Sequence, residues 1–136
     1  MPKIDISAIP LKTGSTYPGA LNTEMDGRSS LRLGDAGGLT QFGANIVILE
    51  AGAKSSLRHY HMHQDEFAMI TQGTCTLIDD CGETELATGD CIAWPAGDAN
   101  GHHIVNNSQT EARFLVIGTR TESEVAYYSD IDMMVK

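Results

Sequence analysis

Gly52-Ala53-Lys54-Ser55-Ser56-Leu57-Arg58-His59-Tyr60-His61-Met62-His63-Gln64-Asp65-Glu66-Phe67-Ala68-Met69-Ile70-Thr71-Gln72-Gly73 is the stretch whose reading decides the fold. His59 and His61 stand two apart, and side chains at i and i+2 on a strand share a face. Glu66 follows a short turn and opens the next strand. Neutral imidazole is the commonest protein ligand for transition metals, and a carboxylate completes a mixed nitrogen and oxygen set. The stretch therefore predicts a metal site built on β-structure. The remaining histidines of the chain, His102 and His103, lie together further on.

Working outward, strand patterns recur between tight breaks. Gln41–Glu50 carries Phe42, Ile46 and Ile48 on one face. Glu66–Thr71, Thr74–Asp79, Glu83–Ala87, Asp90–Trp94, Gly101–Asn106 and Ala112–Thr119 follow. Gly52, Gly73, Gly89, Pro95-Ala96-Gly97 and Asn107-Ser108 separate them, and Asp79–Gly82 reads as a tight hairpin turn. Before this set, Ile4, Ile6 and Ala8 alternate as a short strand. Residues 10–30 read as an arm or loop, and Gly34–Gly38 as a turn. Thr121–Ala126 has the pattern of one helical turn, and Tyr127–Val135 that of a terminal strand or tail. No helical period is sustained and nothing repeats, so the chain reads as one all-β domain over residues 1–136 with an N-terminal arm over about residues 1–30.

Composition sets the boundaries. With 41% hydrophobic and 20% charged residues, the chain reads as globular rather than disordered. A net charge of −9, with no cluster of Lys and Arg, argues against nucleic acid and against an anionic membrane surface. Apolar runs fall far short of the ~20 residues that span a bilayer. The N-terminal residues show no apolar leader, so the cytoplasm is the expected location. Cys75, Cys81 and Cys91 form no Cys-x-x-Cys pair and read as reduced, small buried or turn residues.

Placed on these strands, His59, His61, Glu66 and His102 converge as four metal ligands. Such a set leaves one or two positions of a five- or six-coordinate ion for substrate, water or dioxygen. His63 shares the parity of His59 and His61 and is, with Glu66, the candidate pocket acid or base. Its spacing to Glu66 does not match that of His61, which argues for a loop position outside the ligand set. Tyr60 alternates with the ligands and faces away. Trp94, Phe67, Met69 and Phe114 read as barrel filling, and Asp65 as either a support for a ligand histidine or a turn residue. Arg58, Arg113 and Lys54 are the cations nearest the site, but parity sets Arg58 opposite His59, which argues against a phosphate-bearing substrate.

Two frames of this sequence resemble the cupins. The first is Gly52, His59-Tyr60-His61, Glu66 and Gly73; the second is Gly89, Pro95-Ala96-Gly97, His102 and Asn106. The match covers residues 45–118. It departs from the family pattern in one extra residue before His59 and in a longer loop, Asp98-Ala99-Asn100-Gly101, which raises the choice between His102 and His103. Asn106 and the final strand favour His102. The resemblance implies a double-stranded β-helix, or jelly-roll, barrel holding one divalent metal (Zn, Fe, Mn or Ni). It extends to small cupins labelled sugar-phosphate isomerase-like. The implied function is a metal-dependent isomerase, epimerase or lyase acting on a sugar, sugar phosphate or hydroxy-acid. The same ligands also serve Fe(II)-dependent dioxygenases and non-catalytic metabolite-binding cupins. A small-molecule substrate and a homodimer complete the expectation.

Overall fold

The computed structural model describes every residue except 1, 14–16, 18, 122–125, 129, 131–132 and 136. In chain order the strands are β1 (Lys12–Thr13), β2 (Arg28–Arg32), β3 (Phe42–Leu49), β4 (His59–His61), β5 (Glu66–Gln72) and β6 (Cys75–Asp79). They continue as β7 (Gly82–Leu86), β8 (Cys91–Trp94), β9 (His103–Val105), β10 (Ala112–Thr119), β11 (Ala126–Tyr128) and β12 (Met133–Val135). One wall is a sheet in the order β1-β2-β3-β10-β5-β8. The facing wall combines β12-β11-β4 with β7-β6-β9, joined where His59 bridges His102 and Lys54 bridges Val105. All pairings are antiparallel, and the result is a jelly-roll barrel.

The barrel is a plug at one end and a cup at the other, and both follow from the inward residues of the two central strands. Leu49 faces Ala112, Val47 faces Phe114, Asn45 faces Val116 and Gly43 faces Gly118. The apolar pairs join Ile70, Leu77, Leu86, Trp94 and Ile104 in one core cluster. At the other end a glycine pair leaves the volume that two side chains would have filled, and the barrel opens. Phe42, Ile46 and Ile48 occupy the opposite face of β3, with Phe42 exposed.

Turn chemistry sets the register. Asp79 pairs directly with Gly82, so Asp80 and Cys81 form the expected two-residue hairpin loop, with Gly82 at positive φ. Gly73 is also at positive φ, and a Cβ there would lie 2.9 Å from the Glu111 carbonyl oxygen. Only glycine fits that approach.

Three expectations for the N-terminal region change. Ile6–Ala8 is a 3-10 helix rather than a strand, because the Asp5 carboxylate accepts from the Ser7 amide and caps it. Arg28–Arg32, whose first three residues read as the end of an arm, is a strand paired with β3 along its whole length. The Gly34–Gly38 turn is a short helix, α1 (Leu33–Ala36), closed by bonds from the Gly37 amide. The helical turn expected at Thr121–Ala126 lies largely outside the described residues, and Ala126 belongs to β11. Among the described residues no helix is long and apolar enough to cross a membrane.

Candidate metal centre

β4 presents His59 and His61 on one face, and Glu66 begins β5 beside them. Ligand atoms of these residues all lie within 4.8 Å of one another. The two Nε2 atoms are 3.1 Å apart, and His61 Nε2 is 3.9 Å from the Glu66 carboxylate. His102 reaches the cluster through Glu66, its Nε2 lying 2.9 Å from Oε1. It arrives there because His59 and His102 exchange backbone hydrogen bonds as an antiparallel pair.

The ring orientations fit a cation. His59 Nδ1 lies 2.8 Å from the Leu57 carbonyl oxygen and His102 Nδ1 lies 3.1 Å from that of Asn100. A carbonyl only accepts, so in the neutral His59 ring Nδ1 carries the proton and Nε2 presents its lone pair to the cluster. His102 Nε2 faces the Glu66 carboxylate, which can only accept, and would give up its proton to a bound metal. Burial lowers the pKa of His59 to about 4 against the opposing pull of Glu66, which keeps the ring neutral at physiological pH. Burial alone would raise the Glu66 carboxyl, but the bond to His102 and the neighbouring imidazoles outweigh it and leave the group below its ordinary value. Neutral imidazoles and an ionised carboxylate are the states that ligate a metal.

Other aromatic residues hold this arrangement. Trp94 lies flat on His102, with ring centroids 3.9 Å apart and planes 6° from parallel. Trp94 and Phe114 therefore belong to the core as expected, and Trp94 also fixes a ligand candidate. Phe67 does not fill the barrel: it is exposed on the outer face. Tyr60 points outward and stacks on Tyr127. The Asp65 carboxylate accepts from the Ala96 amide at 2.8 Å and ties down the Pro95–Gly97 turn, as a turn residue would.

His103 also lines the cavity but stands outside the cluster, its Nδ1 held 2.8 Å from the Ser56 carbonyl oxygen, where burial lowers its pKa. His63 is exposed and is not among the residues lining the cavity. The cavity above the histidines has a volume of about 490 Å³. None of the expected cations lines it. Lys54 pairs with Glu24, Arg58 with Asp80 and Asp130, and Arg113 with Glu111.

A cupin-domain family model matches residues 45–118, the span that carries the histidines, the glycine turns and the final inward strand. The chain is a cupin. No curated protein matches it significantly. Among solved structures, it is similar to a sugar phosphate isomerase of the cupin superfamily from Silicibacter pomeroyi, with 65% identity and a TM-score of 0.97. That alignment covers 98% of this chain and 85% of the other. A protein provisionally named a sugar phosphate isomerase, from Acidithiobacillus ferrooxidans, aligns at 30% identity and TM-score 0.75 over 85% of this chain and 72% of its own. The polyketide cyclase RemF from Streptomyces resistomycificus shares the fold alone, at 18% identity and TM-score 0.74 over 97% of this chain and 89% of its own.

Sequence reasoning missed several residues of this cupin's cavity. Arg28, Arg32 and Arg120 line it, the first two from β2, which the sequence pattern does not mark as a strand. Tyr128 pairs with His59 across β11 and β4, and its ring lies 5.5 Å from that imidazole. Burial, with the bond to Tyr17, pushes its phenol well above the ordinary range, so it stays protonated. The signal was present in parity: Tyr127 and Tyr128 alternate as Tyr60 and His59 do.

Proposed function

We propose that this cupin is a metal-dependent isomerase, epimerase or lyase that moves a proton next to a carbonyl of a small hydroxylated metabolite. The observation that carries this reading is the convergence of three imidazoles and one ionised carboxylate in the wall of one cavity. His59, His61, Glu66 and His102 would hold one divalent transition metal. Such an ion supplies Lewis-acid polarisation of carbonyl and hydroxyl oxygens. The chain's own contribution is orientation and proton control. Tyr128 keeps its phenol proton in a bond to Tyr17 and packs its ring 5.5 Å from His59, which positions that imidazole. Glu66 is the carboxylate nearest a substrate carbon above the cluster, whereas His63, outside the cavity, takes no part. The names of the two most similar relatives described above support the isomerase class.

The test is metal content of protein purified without chelators, followed by NMR of sugars, sugar phosphates and hydroxy-acids incubated with it in deuterium oxide. Stoichiometric metal together with deuterium uptake next to the carbonyl is the expected result. Oxygen consumption on anaerobic Fe(II) loading, without deuterium uptake, would replace this reading with the dioxygenase. Ligands that stabilise the protein and are recovered unexchanged would replace it with a non-catalytic binding cupin.

A further inference from the structure

A side chamber of about 260 Å³ adjoins the main cavity and shares Arg28, Arg32, Asn45, Ser55 and Ser56 with it. Lys12, Ser30, Tyr17 and Tyr128 also line the chamber, and among the described residues no carboxylate does. Arg28, Ser30 and Arg32 reach it together because alternate residues of β2 face inward.

The charge pattern there is unlike the rest of the molecule. Lys54, Arg58, Arg113 and Arg120 each pair with a carboxylate. Among the described residues, Arg28 and Arg32 form no ion pair; Arg28 donates from Nε to the Ser55 carbonyl oxygen at 2.6 Å. Scarcity of acid is not the reason, since the chain has 18 Asp and Glu against 9 Lys and Arg. Burial lowers the pKa of the half-buried Arg28 against the pull of Tyr17, and Arg32, exposed at the end of β2, lowers it further, so the two guanidiniums lie near enough to repel. Unpaired cations in such a place are costly unless something outside the chain neutralises them. Two fixed positive charges with a third at the rim suit a dianion. Planar guanidiniums also match phosphate oxygens in paired hydrogen bonds, and nearby hydroxyls can serve the remaining oxygens.

We propose that Arg28 and Arg32, with Lys12 at the rim, form a subsite for the phosphate of a phosphate-monoester substrate whose other end lies over the histidine cluster. This deepens the proposed function and rests on it for the position of the reacting end, though binding of the phosphate itself needs no metal. It reverses the sequence-based argument against a phosphate-bearing substrate, which considered Arg58, Arg113 and Lys54.

Calorimetric titration of chelator-treated protein with inorganic phosphate, and separately with acetate, tests the subsite. Phosphate should bind and acetate should bind more weakly. Arg28→Met and Arg32→Met should each weaken phosphate by roughly tenfold or more, as expected for a charge-assisted bond. Arg113→Met, a surface control, should change nothing. Arg28→Lys and Arg32→Lys keep the charge without the fork and should fall between; they stand in if a Met variant fails to fold by circular dichroism. His61→Ala should lose metal and keep phosphate binding, so the subsite and the metal reading fail separately. Absence of phosphate binding by the unaltered protein overturns the proposal. Equal binding by the arginine variants, which marks an adventitious ion only, also overturns it, as does acetate binding as tightly as phosphate.

Discussion

The histidine end and the arginine end of the cavity are built in opposite ways. At the histidine end, His59, His61 and Glu66 come from eight consecutive residues, and His102 is delivered by one backbone bridge to His59. At the arginine end, Arg28 and Arg32 lie on a strand whose inward positions are charged or hydroxylic, and Tyr128 arrives from the far end of the chain. The first end is a local motif and the second is a product of strand register. A local motif announces its chemistry in sequence, whereas a register-built surface does so only once the strands are paired. The candidate metal cluster is thus declared early and the candidate anion subsite late.

The sharpest way to break this division is at His61. His61→Ala should lower metal affinity by more than about 100-fold, since losing a residue that merely orients a ligand already costs about 10–100-fold. His59→Ala and His102→Ala should act alike, and His103→Ala should retain the ion, because its ring faces the Ser56 carbonyl. Elemental analysis after dialysis against metal-free buffer reads all four. Metal kept by His102→Ala and lost by His103→Ala would exchange the roles of the two neighbours.

Much of the fold was legible because its strands obey simple alternation. Ala112–Thr119 matches its expected bounds, Phe42–Leu49 differs by one residue at each end from the strand expected over Gln41–Glu50, and the hairpin at Asp79–Gly82 forms as its residues require. Ile4, Ile6 and Ala8 misled because apolar alternation competes with capping, and Asp5 settles the contest in favour of a 3-10 turn. Arg28–Arg32 misled for a deeper reason. Strand recognition assumes an apolar inner face, and this strand's inner face lines a polar cavity. Phe67 was misplaced by the converse assumption, that an aromatic beside a ligand must be inside.

Asn106 tests whether the second glycine-proline frame serves the metal or the barrel. It is fully buried, donates from Nδ2 to the Leu49 and Thr110 carbonyl oxygens at 3.0 and 2.8 Å, and accepts from the Ser108 amide at 3.0 Å. Asn106→Ala should cost about 1–3 kcal/mol for each buried group left unsatisfied. The urea midpoint should fall while metal stoichiometry is unchanged. Parallel loss of metal would make Asn106 part of the histidine end rather than of the frame that supports both.

The smallest effect is expected at Asp35, and it decides whether the arginine end includes a third member. Arg120 lines the cavity but donates from Nη2 to Asp35 Oδ1 at 2.5 Å, on the exposed rim. That hydrogen bond is the main reason the Asp35 carboxyl lies below its ordinary value, with burial opposing it. A carboxyl depressed in the folded state stabilises the fold above its unfolded pKa, and the contribution is lost as pH falls through the folded value. Asp35→Asn should therefore flatten the decline of the urea midpoint between neutral pH and about pH 3, where carboxylates titrate. Phosphate affinity at neutral pH should stay the same, because the subsite rests on the two arginines that have no carboxylate partner among the described residues. Tighter phosphate binding in Asp35→Asn would show Arg120 released into the cavity, and the arginine end would then be a three-guanidinium site held in check by Asp35.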